Sequence, residues 1–148
     1  MLVIYKSFKT IIIASLFILL GLVRVFEDNL FYDPFIQFYK QLYFTKEVPD
    51  FNLGKLIIHT FLRYSLNSII SIIILFIAFN KTAVLRFSLI FYAILFITLI
   101  SCYLAIIMNF SEELHQLFFY IRRFLIQPIF VLVLLPAFYY QQNIIPKQ

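Results

Sequence analysis

Residues 56–79 read LIIHTFLRYSLNSIISIIILFIAF, with Arg63 as the one formal charge in the run. At 1.5 Å of rise per residue this makes a helix of about 36 Å, enough to cross a hydrocarbon core of roughly 30 Å. The run is not uniformly apolar. His59, Arg63, Asn67 and Ser71 recur every four residues, so a helix sets them in one polar stripe along one face. The stretch is therefore a membrane span with a polar seam.

Three further runs share its character: Ile11 to Phe26, Arg86 to Phe110 and Phe118 to Tyr140. The 148 residues are 64% hydrophobic and 13% charged, with a mean hydropathy of +0.98. That composition excludes a water-soluble domain. The fold expected is all-α: an integral membrane protein forming one transmembrane domain over residues 1–148. Its four transmembrane helices fall at about 11–26, 56–79, 86–110 and 118–140. The first run follows Lys6 and Lys9 as a signal sequence would. Arg24, Glu27 and Asp28 follow it instead of a small-residue cleavage site, which marks an uncleaved signal anchor.

Charge gives the bundle a direction. All seven acids lie in two short segments. Glu27, Asp28, Asp33, Glu47 and Asp50 separate the first two runs, and Glu112 and Glu113 separate the last two. Lys6, Lys9, Lys81, Arg86 and Lys147 mark the other ends. Short basic loops stay in the cytoplasm, so both termini are expected inside and the acidic segments outside. Lys40, Lys46 and Lys55 run against this assignment. A net charge of +5 scattered over span ends fits membrane topology and gives no basic patch for nucleic acid.

Within the first acidic segment, Asp33 before Pro34 is a helix-start signal. Phe31, Phe35, Phe38 and Leu42 fall at helical spacing, with Gln37, Lys40 and Gln41 between them. An aromatic helix in the membrane interface is expected, followed by a turn over Val48 to Gly54.

This orientation brings Arg24, Arg63, Arg122 and Arg123 to the outer third of the membrane. An arginine at mid-bilayer costs about 2.5–3.5 kcal/mol on the insertion scale, so each is expected to snorkel or to pair with a nearby acid. Arg24 reaches Glu27 and Asp28 locally. A second stripe, Gln116, Tyr120, Arg123 and Gln127, runs along the fourth span. Arg122 stands about 100° around from Arg123, so the two cannot share a face. The candidate partner- or ligand-binding residues are Arg24, His59, Arg63, Asn67, Tyr120, Arg122, Arg123 and Gln127. The stripes have two readings: interhelical hydrogen bonds holding the bundle, or an outward-facing polar pocket or docking surface. Pro128 and Pro136 predict a kink at one or both positions.

Conventional catalytic signatures are absent. Two glycines in the whole chain argue against phosphate-cradling loops. One cysteine excludes an internal disulfide and a multi-thiolate metal site. Cys102 lies on the third span about 10 Å below its outer end, while His59 and His115 belong near the boundary. Buried in apolar surroundings the thiol would be inert. Thr98, Cys102 and Ala105 read as a small-residue packing face. No metal and no cofactor are expected.

Three segments carry a family resemblance: residues 24–35 (RVFEDNLFYDPF), 63–71 (RYSLNSIIS) and 120–141 (YIRRFLIQPIFVLVLLPAFYYQ). They resemble the small membrane proteins associated with exosortase F in Bacteroidetes, chiefly flavobacteria, and the likeness covers nearly the whole chain. It implies a bacterial inner-membrane protein acting beside an exosortase, a multi-span transpeptidase-like enzyme that processes sorting signals on the outer side. No catalytic residues are carried over, and the ISCYLA surroundings of Cys102 do not match an exosortase nucleophile. The function expected is an exosortase-associated accessory protein for sorting at the cell envelope, with membrane lipids and an exosortase as partners. The alternative is an enzyme or carrier holding an anionic lipid or envelope substrate on its outer arginines.

Overall fold

The computed structural model describes residues 2–40, 50–109 and 111–143. Leu42, Lys46, Glu47, Lys147, Gln41 and the start of the Val48–Gly54 turn lie outside them. So do the side chains of Lys6, Gln37, Lys40 and Glu112. The described residues are helical and contain no strand. In chain order the elements are α1 (Leu2–Val25), the single turn α2 (Glu27–Leu30), α3 (Phe35–Lys40), α4 (Leu53–Phe79) and α5 (Thr82–Met108). A 3-10 turn (Glu112–Leu114) then leads into α6 (His115–Ile126) and α7 (Ile129–Asn143).

Three of these helices are long and apolar enough to cross a membrane: α1 over Ser7–Val25, α4 and α5. The expected fourth span is broken. α6 and α7 meet at 63°, and together they qualify as a fourth only if the bent pair is one span. The chain thus has the build of a multi-pass membrane protein. Helix α5 begins at Thr82, ahead of the expected Arg86, because the helix does not stop where the apolar run does.

Local chemistry sets the helix ends. Asn52 caps α4, its side-chain oxygen accepting from the Lys55 N–H at 3.1 Å. Asn80 closes α4 in the left-handed region (φ 48°), with its N–H donating to the Phe76 carbonyl at 2.7 Å. Asparagine tolerates that conformation better than most residues, so α4 can turn into α5 within two residues. Asp33 does for α3 what its position before proline predicts: Oδ1 accepts from the Phe35 N–H at 3.1 Å.

Helix α4 is the centre of the bundle, touching α1, α5, α6 and α7. Lys9 near the start of α1 donates to the Ala78 carbonyl near the end of α4 at 2.7 Å, so the two helices run antiparallel. Tyr64 of α4 donates to the Tyr92 carbonyl of α5 at 2.7 Å. Rings fill the space on either side, with Tyr103 stacked on Phe118 at one end and Phe138 against Phe79 and Phe87 at the other.

Polar side chains are buried within an apolar and aromatic core, while many large apolar side chains face outward. Arg63, Asn67, Ser68, Ser71, Ser88 and Arg122 are buried, while Ile18, Ile90, Ile94, Ile97 and Met108 are exposed. Lipid tails are as apolar as leucine, so packing and internal hydrogen bonds hold such a bundle more than hydrophobic burial does.

Candidate functional site

The short segment between α1 and α4 delivers two carboxylates to the arginines of three helices. Glu27 follows α1 directly and lies three residues past Arg24, within reach on a helical turn. Its Oε2 accepts from Arg24 Nη1 and from Arg63 Nη2 on α4. The second carboxylate, Asp33, has one oxygen engaged in capping α3. Its other oxygen, Oδ2, accepts from Arg63 Nη1 at 3.2 Å and from Arg122 Nη2 at 2.6 Å. The result is one chain of charge, Arg24–Glu27–Arg63–Asp33–Arg122, tying α1, α4 and α6 together.

Burial makes this cluster consequential. Arg63 is 2% exposed, and its guanidinium lies 5.4 Å from the centre of the Phe31 ring. Arg122, also buried, lies 5.8 Å from the Tyr39 ring. Phe35 and Phe118 are fully buried beside each other, 4.9 Å between ring centres, so α3 seats its first side chain against α6. A guanidinium removed from water is tolerated only when its charge and its donors are met. Arg63 meets that condition on two acids. Arg122 keeps one buried donor, Nε, without a partner among the described residues.

A second polar contact lies deeper. Pro128 has no N–H, and Gln127 before it adopts the extended conformation (φ −103°, ψ 140°) that proline imposes on its predecessor. The Ile126 carbonyl thereby loses its place in a continuous helix, and Asn67 of α4 donates to it through Nδ2 at 2.9 Å. Ser71 in turn donates to the Asn67 carbonyl at 2.7 Å. The seam of α4 therefore holds both the charge cluster and the bend.

The sequence-derived candidates divide by face. Arg24, Arg63 and Arg122 join the cluster, and Asn67 holds the bend. His59 is half-buried beside the Tyr32 ring, 6.1 Å between centres, with Nδ1 lacking a partner among the described residues. It stands apart from the bonded arginines. Tyr120 and Arg123 are exposed, and Arg123 Nε donates to Gln127 Oε1 at 3.0 Å. The second stripe thus runs along the outside of α6, whose inner face carries Phe118, Arg122 and Leu125 instead. Those three recur at spacings of four and three, a signal that was present but outweighed by the polar stripe beside it. Asp33 was expected as an acid within reach of the arginines, and its role in joining two of them was not legible.

Cys102, Thr98 and Ala105 lie on the exposed face of α5, so they form no packing surface inside this chain. Among the described residues no three His, Cys, Asp or Glu side chains come together as a metal site would need. Comparison with protein-family models, with curated proteins and with solved structures finds no match.

Proposed function

We propose that this chain is a non-enzymatic accessory subunit of an exosortase system in the bacterial inner membrane, binding or stabilising an exosortase at the cell envelope. In this reading α1, α4, α5 and the bent pair α6–α7 are four spans, α3 lies at the outer interface, and both termini are cytoplasmic. The basic end supports that direction. Lys9 reaches the last turn of α4, three residues before Lys81, whereas Glu27 and Asp33 collect at the opposite end.

The observation that carries the reading is how the arginines are used. Arg63 and Arg122 are buried on the chain's own acids, which suits support of a surface rather than capture of a substrate. Arg24 and Asn67 belong with them as support residues. Tyr120 and Arg123 stand exposed at the same end and are available for contact. Along α5, Thr98, Ser101, Cys102 and Ala105 give an exposed track of small side chains over which another membrane helix can approach closely.

The test is co-purification of the tagged chain from flavobacterial membranes in a mild detergent. An exosortase is expected to co-elute, to persist with Cys102→Ala and to be lost with Ser101→Phe, which obstructs the small-residue track. Recovery of no exosortase with the wild-type chain would sink the proposal.

A further inference from the structure

The bonded cluster seats three guanidinium groups on two carboxylates and so carries a surplus positive charge. The surplus surfaces at Arg24, whose side chain is 44% exposed, against 2% for Arg63. Arg24 stands at the polar end of an open groove of about 270 Å³ between α1 and the α6–α7 bend. Leu20 and Gly21 form one wall, Pro128 and Leu132 the other, and Gln127 sits at the bend. Through Gln127 a second cation is tied to this place. Arg123 donates to it and pairs with no carboxylate among the described residues.

Gly21 supplies an independent observation. A glycine inside a helix costs about 1 kcal/mol relative to alanine, so it usually answers a need for close packing. Here, apart from its chain neighbours and the adjoining backbone of α1 itself, no atom lies within 4 Å of the position a Cβ would take. The room at Gly21 is not used by the protein itself. From Phe17 to Arg24 the α1 wall is about 10 Å long. A helix is itself about 10 Å thick and packs over several turns, so this cleft is too short for one. A hydrocarbon chain with an anionic head matches both its shape and its charge.

We propose that this groove binds one anionic phospholipid, its phosphate against Arg24 and Arg123 and one acyl chain lying along Gly21 between α1 and α7. Arg24 is the penultimate residue of α1, so its guanidinium is placed at the membrane boundary where lipid phosphates lie. The inference rests on α1 crossing a membrane and not on any protein partner, so its failure leaves the exosortase proposal standing.

The experiment is native mass spectrometry of the purified full chain in a neutral detergent, incubated with phosphatidylglycerol or phosphatidylcholine of identical chains. One phosphatidylglycerol should be retained per protein, roughly tenfold above phosphatidylcholine, the ratio expected when two arginines meet a net anionic head rather than one whose phosphate is offset by its own choline cation. Gly21→Leu fills the groove and should abolish retention of phosphatidylglycerol without lowering the unfolding temperature. Arg123→Gln, on the exposed face, should reduce the preference for the anionic head even if Arg24→Gln proves unstable. Equal retention of the two lipids, no retention of either, or undiminished binding by Gly21→Leu would overturn the proposal.

Discussion

Both carboxylate oxygens of Asp33 are engaged, Oδ1 on the Phe35 N–H and Oδ2 on Arg63 and Arg122. Replacing it by asparagine keeps an acceptor for the cap and removes the charge on which two buried guanidiniums depend. Breaking a buried ion pair from one side costs about 3–5 kcal/mol, because the remaining charge is left uncompensated. Asp33→Asn should therefore lower the unfolding midpoint in detergent markedly, and Arg122→Gln should do so comparably. In the double variant the two losses should fall well short of additive, since the groups share one interaction. Additive losses would show that the two side chains act independently. Arg123→Gln, one position along, breaks only an exposed hydrogen bond to Gln127 and should cost less than about 1 kcal/mol. Sequence could state that positions 122 and 123 face different ways. It could not state which faces in, because that depends on where a loop thirty residues from Arg63 brings Asp33.

At the level of elements, the long apolar runs were legible because a helix crossing lipid must satisfy its own backbone, leaving little choice of structure. The Asp33–Pro34 start and the inward stripe of α4 were legible for the same local reasons. The place of the break was not, since Pro128 and Pro136 make equal claims as sequence. Pro136 sits inside an unbroken α7, whereas at Pro128 the neighbouring helix supplies Asn67 for the Ile126 carbonyl. Asn67→Leu should therefore destabilise the protein by about 1–3 kcal/mol, the cost of a buried acceptor left unmet, as read by thermal unfolding. Pro128→Ala restores a backbone donor and should straighten the pair. Spin labels at the exposed positions Leu117 and Tyr139, in a Cys102→Ala background, report this as a distance. A continuous helix would separate those backbone positions by about 33 Å, and the 63° bend shortens this by roughly 5 Å. An unchanged separation in Pro128→Ala would show that packing, not proline, sets the bend.

For the whole molecule, an apolar exterior with polar groups buried inside suits a chain built for lipid, and its two ends differ in charge. One end joins Lys9 to the close of α4 beside Lys81, and the other holds Glu27, Asp33 and their three arginines. The candidate site lies wholly at the second end. For the proposed role beside an exosortase, the compartment that this end faces decides whether the site could be used. Composition made the apolar helices legible and the confinement of acids gave an expected direction, but the union of arginines from α1, α4 and α6 needed tertiary structure. Single cysteines in a Cys102→Ala chain decide the direction, placed at the exposed residues Asp50, Gln116 and Lys81. With an impermeant thiol reagent on intact spheroplasts, labelling at Asp50 and Gln116, and at Lys81 only after permeabilisation, is the expected result. Labelling at Lys81 with protection of Asp50 and Gln116 would put the arginine cluster in the cytoplasm and contradict the account.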